Sequence, residues 1–159
     1  MVNPSIFTPG PPVAHAVMCG LCLALGLLTT GWHYEVLRGF GSFVPRGAAS
    51  GRGRMLAVLL GIIVAHALEV LAYAGTYYLL ARHGGIGSLG GSAAPSFDAS
   101  IYFSFETYSS LGYGDIVPTG ALRLLAGAEA LNGLLLIGWS ACYAHAELGP
   151  FPGRGERRR

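Results

Sequence analysis

The sequence predicts an all-α membrane protein of three transmembrane helices plus one short re-entrant helix, and three observations carry that expectation. Of 159 residues, 52% are hydrophobic and only 11% charged, against roughly a quarter charged in an ordinary soluble domain. Three long apolar runs each suffice to cross a bilayer. A fourth apolar segment, Ser96 to Ser109, has only 14 residues, too few to cross and suited to a helix that dips in and returns.

Taken in order, the first run extends from Val13 to Trp32, 20 residues or about 30 Å of helix. No Asp, Glu, Lys or Arg occurs from Met1 to Tyr34. The absence of a basic stretch before the apolar core argues against a cleaved leader, so this run is expected to be a retained span. The second run, Met55 to Ala81, is interrupted only by His66 and Glu69. The third runs from Ala121 to His145. Arg38, Arg46, Arg52 and Arg54 follow the first span, and Arg154, Arg157, Arg158 and Arg159 occupy the tail, whereas residues 1–12 and 83–95 hold no Arg. Basic residues mark the cytoplasmic side, which puts the N-terminus outside and the C-terminus inside a plasma or inner membrane.

Composition also excludes. A net charge of +2 leaves no broad positive field for nucleic acid. Three cysteines cannot all pair within one chain, and Cys19, Cys22 and Cys142 sit in apolar runs, so no disulfide framework is expected. The Cys19-Gly-Leu-Cys22 spacing lacks the surroundings of a redox or zinc motif. Gly85 to Gly90 fits G-x-G-x-x-G but follows no strand. No catalytic constellation is visible, and an enzyme is not expected.

The chemistry concentrates in Thr107 to Pro118, which reads Thr-Tyr-Ser-Ser-Leu-Gly-Tyr-Gly-Asp-Ile-Val-Pro. Irregular backbone at membrane depth leaves carbonyls unpartnered, at a cost of several kcal/mol per group by order of magnitude, unless it lines a water- or ion-filled path. Gly112 and Gly114 alternate with bulkier residues, and glycine enters left-handed dihedrals cheaply, so the strand can turn successive carbonyls to one axis. Four copies would stack rings of oxygens. The carbonyl end of the preceding short helix, equivalent to about half a negative charge, favours a cation there.

Ser110-Leu111-Gly112-Tyr113-Gly114-Asp115 resembles the selectivity filter of the tetrameric potassium channel pore domain, Thr-Val-Gly-Tyr-Gly-Asp. The resemblance covers about Met55 to Glu147. It implies an outer helix at 55–82, an external loop at 83–95, a pore helix at 96–109, a filter at 110–115 and an inner helix at 119–146. Residues 1–34 then form an external N-terminus and extra span, 35–54 a cytoplasmic Gly/Arg loop and 147–159 a basic tail. It further implies a homotetramer in the bilayer that passes K+ passively, with no cofactor beyond the permeant ion. K+ would bind at Ser110, Leu111, Gly112 and Tyr113, with Gly114 completing the ion path. Ser110 keeps the hydroxyl of the usual Thr, and Leu111 offers only its backbone oxygen. Those two departures leave a weakly selective cation channel of the same fold, or a non-conducting assembly subunit, as the alternatives.

By the same resemblance Glu106 pairs with Asp115 behind the filter, sharing a proton, and Gly133 falls near the gating hinge. The residues themselves leave three matters open. Gly133 suits close helix packing as well as a hinge. Tyr102, Phe103, Tyr108 and Tyr113 suit either bracing of the filter or simple core packing. His66 and Glu69, one turn apart, together with Glu129, form either a pH-responsive cluster or a static interhelical bond. Asn132 is expected to line or support a cavity walled by Leu134 and Ile137. No ladder of Arg occurs within a span, so voltage sensing is not expected.

Overall fold

A computed structural model describes residues 12–43, 51–83, 86–91 and 96–148. Helices α1 (Pro12–Phe43), α2 (Gly51–His83), α3 (Phe97–Tyr108) and α4 (Leu122–Leu148) are joined by two-residue strands β1 (Leu89–Gly90) and β2 (Val117–Pro118). Within them, Val13–Phe40, Gly53–Arg82 and Leu122–Glu147 are long and apolar enough to cross a membrane. The protein is an all-helical, multi-pass membrane protein. Of the segments expected from the sequence, residues 1–11, part of the first loop (44–50), part of the external loop (84–85 and 92–95) and the tail from 149 lie outside the described residues.

Each long helix is apolar around most of its circumference. Val17, Leu27, Leu60, Ile63, Leu131 and Leu135 are all exposed, as suits helices that meet lipid or another subunit rather than water. The buried stripe of α1 is Met18, Leu25, Thr29, His33 and Leu37, successive residues about two turns or one turn apart on one face. It packs on α4 and α2. The main core joins Met18 and Leu25 to Tyr73 and Tyr77 of α2, Phe103 of α3 and Leu122 and Leu125 of α4. A smaller cluster of Leu37, Val58 and Ile62, with Tyr143 packed against it, closes the far end.

Helix ends differ from the expected boundaries for local reasons. The first helix continues past residue 34 to Phe43 because Glu35 and Arg38 are compatible with helix, pairing at 3.1 Å across one exposed turn. The second starts at Gly51 rather than 55, and its Arg54 pairs with Glu147 of α4. The fourth starts at Leu122 rather than 119, since Gly120 has φ +56° and the preceding chain is held in a sheet. There Leu89 pairs with Pro118 and Gly90 with Val117, and Thr119 N–H donates to the Ser88 carbonyl at 2.9 Å. The short helix α3 is bounded by its caps. The Ser96 hydroxyl accepts from the Ala99 N–H at 3.1 Å, and Asp98 sits in the first turn, both favourable to a helix start.

A candidate ion pathway

Because α3 runs between α2 and α4, its C-terminus delivers residues 109–115 beside the middle of the bundle. The helix stops by a Schellman arrangement: Ser110 N–H donates to the Thr107 carbonyl at 3.0 Å and Leu111 N–H to the Glu106 carbonyl at 3.0 Å. That cap requires a left-handed residue, and Ser110 supplies it with φ 56°. Serine bears this conformation with less strain than a β-branched residue would. Beyond it, Gly112 takes φ +105°. Among the described residues no backbone N–H donates to the carbonyls of Ser110 to Gly114. The whole run from Ser110 to Asp115 is exposed in the isolated chain, with Leu111 at 79%. Oxygens left free at membrane depth invite a cation.

Side chains of α3 support this strand from behind. Phe103 is fully buried, stacks on Tyr113 with ring centroids 5.3 Å apart and meets Tyr77 edge-on at 4.9 Å. Glu106 is buried, and its Oε1 lies 3.4 Å from where a Cβ on Gly114 would stand. Its Oε2 has no hydrogen-bond partner among the described residues. The Tyr102 phenol, also beside Gly114, is held above its ordinary pKa by a hydrogen bond to Glu106 and the nearby Asp115. Tyr108 points elsewhere, towards α2.

The end of α3 is locked to the long helices. Ser104 Oγ stands 2.9 Å from the Val70 carbonyl and 2.5 Å from Glu129 Oε1, and the Tyr77 hydroxyl donates to Glu129 Oε2 at 2.6 Å. Gly133 of α4 passes directly under Tyr108, where a Cβ would fall 2.2 Å from the Tyr108 carbonyl oxygen. Close approach is one reason for glycine at that position. Asn132 turns to α1 and α2, donating to Thr29 Oγ1 at 2.7 Å and to the Tyr73 hydroxyl at 3.2 Å. Leu134 and Ile137 are exposed.

His66 and Glu69 meet at 3.1 Å, while Glu129 belongs to the separate Tyr77 and Ser104 group. The residue that sequence reading missed is His33 of α1, fully buried and 2.8 Å from Glu69 Oε1. Its signal was available, since Thr29 and His33 are polar groups one turn apart in an otherwise apolar helix.

No curated relative and no solved structure matches the chain. The family model described as ion channel matches residues 65–148, just over half of the chain, covering most of α2, the 110–115 strand and all of α4. Carbonyls without backbone partners among the described residues, the short helix that ends at them, most of α2 and all of α4 fall within that one matched stretch. The chain belongs to this ion channel family, whose members have a two-helix pore like that of potassium channels.

Proposed function

We propose that four copies of this chain form a potassium-selective channel in a plasma or inner membrane, with the N-terminus outside and the C-terminus in the cytoplasm. One ion-lining strand per chain calls for four chains, whose carbonyls at Ser110, Leu111, Gly112 and Tyr113 replace the hydration shell of K+, with Gly114 at the outer end. The observation that carries this reading is the run of carbonyls from 110 to 114 without backbone partners, at the negative end of α3. Exposed Leu134 and Ile137 on α4 suit the wall of a central cavity below. Glu106 and Asp115 hold the outer end of the strand, with the Tyr102 hydroxyl beside Gly114, and set how readily it collapses during sustained conduction. Gly133, besides its packing role, is where α4 bends to gate. Transport is passive and needs no cofactor.

The test is K+ efflux from vesicles reconstituted with the purified chain. Wild type releases K+ and not Na+. Gly112→Val, which puts a β-branched side chain at φ +105°, abolishes release. Equal passage of Na+ would leave a weakly selective cation channel, and no passage of either ion a non-conducting subunit.

A further inference from the structure

A second constellation, independent of the ion path, lies where α1, α2, α4 and the end of α3 meet. His33 and Glu69 have no accessible side-chain surface, and His66 is 19% accessible. One nitrogen from each imidazole and a Glu69 oxygen all fall within 4.8 Å of one another. The Nδ1 atom of each ring faces the carboxylate, at 2.8 Å for His33 and 3.1 Å for His66. The Nε2 atom of each faces the same oxygen, Ser140 Oγ, at 3.0 Å in both cases. The Tyr108 hydroxyl completes the group, 2.8 Å from His66 Nδ1 and in contact with Glu69 Oε2.

The protons do not suffice. Neutral imidazoles, an ionised Glu69, Tyr108 and Ser140 bring one proton for each of the four donors, yet the contacts number six. If Ser140 donates to His33 and Tyr108 to His66, Glu69 Oε2 is left facing two lone pairs. If Tyr108 turns to Glu69, then either His66 keeps its proton on Nε2 and points an Nδ1 lone pair at a carboxylate, or it carries it on Nδ1 and one imidazole Nε2 faces a Ser140 lone pair. Buried lone pairs set against each other are costly. A cation at the point where the two Nδ1 atoms and the carboxylate converge removes the conflict. Both Nε2–H groups then donate to Ser140, whose oxygen has two lone pairs to receive them, an arrangement that fixes ring orientation around a metal.

We propose that His33, His66 and Glu69 bind a divalent transition-metal ion of the zinc class, with Tyr108 beside the fourth position and Ser140 holding both rings. The ligand set is one zinc accepts, nitrogen and carboxylate at about 2.1 Å, which gives tetrahedral edges near 3.4 Å. To admit it, the 2.8 Å and 3.1 Å contacts would open towards that edge and the two ring nitrogens, within 4.8 Å of each other, would settle to it. Such an ion would tie α1 to both pore-flanking helices.

The experiment is titration of chelator-treated, full-length protein in detergent with cobalt(II), followed by displacement with zinc. Wild type takes one cobalt per chain, shows the visible absorption of a four-coordinate ion with no thiolate band, and loses it to zinc. His33→Gln and His66→Gln abolish the absorption. Ser140→Ala, which keeps all three ligands, weakens binding about 10- to 100-fold. No absorption in the wild type overturns the site. A thiolate band that survives His33→Gln and disappears when Cys19 and Cys22 are replaced also overturns it, as does unchanged affinity in Ser140→Ala.

Discussion

Replacing Gly133 with Ala adds one methyl where α4 crosses the end of α3. The new carbon would lie 2.2 Å from the Tyr108 carbonyl oxygen, about 1.2 Å inside ordinary contact, and 3.0 Å from the carbonyl carbon. Both are backbone atoms, and Tyr108 is held by its bonds to Glu69 and His66, so neither can swing aside as a side-chain tip would. Overpacking of this kind costs about 1–3 kcal/mol. Gly138, one and a half turns further along the same helix, has nothing within 4 Å of its built Cβ. There the same substitution lowers the entropy of the unfolded chain and stabilises by about 0.5–1 kcal/mol. The two variants therefore shift stability in opposite directions, about 1.5–4 kcal/mol apart. Thermal and denaturant unfolding of both proteins in one detergent, followed by circular dichroism, measures this. A Gly133→Ala protein as stable as Gly138→Ala would refute the packing described at the end of α3.

Phe103→Ala removes both the stack on Tyr113 and the edge contact with Tyr77, and is expected to lower stability by about 3 kcal/mol while reducing K+ efflux in the vesicle assay. Asn132→Ala deletes the bonds to Thr29, Thr30 and Tyr73; interhelical polar bonds in bilayers are worth about 0.6 kcal/mol each, so a loss of about 1–2 kcal/mol is expected by unfolding in micelles. Glu106→Ala should slow current decay during sustained conduction about tenfold, equivalent to one hydrogen bond to a charged group of about 1.4 kcal/mol; unchanged decay in planar-bilayer recordings would remove Glu106 from that role.

Much of this architecture was legible because membrane constraints are severe. A bilayer fixes span length, and charges are rare enough that the Arg-bearing stretch from Glu35 to Arg54 stands out, while residues 83–95 stand out by their glycines. The irregular backbone at Gly112 to Gly114 was legible because two glycines so close together interrupt a helix between two apolar segments. What stayed hidden depended on side chains of distant elements meeting. Nothing local to α1 says that His33 reaches Glu69, 36 residues away, nor that Tyr108 turns to α2 while its neighbour Phe103 turns to the 110–115 strand. Helix periodicity gives the face of each helix, not its partner. For the same reason Glu129 could not be assigned to Tyr77 and Ser104 rather than to His66. The extension of the first helix to Phe43 was hidden by a charged pair that signals a loop by composition and yet fits a helix.

On the proposed function, backbone oxygens of Ser110 to Tyr113 from four chains surround a dehydrated cation. Anomalous diffraction from crystals grown with thallium(I) in place of potassium tests it most directly. The account predicts fourfold-symmetric assemblies with anomalous peaks on the axis, each between successive planes of those carbonyls. Thallium absent from the axis, or residues 110–114 wound into continuous helix, would contradict it.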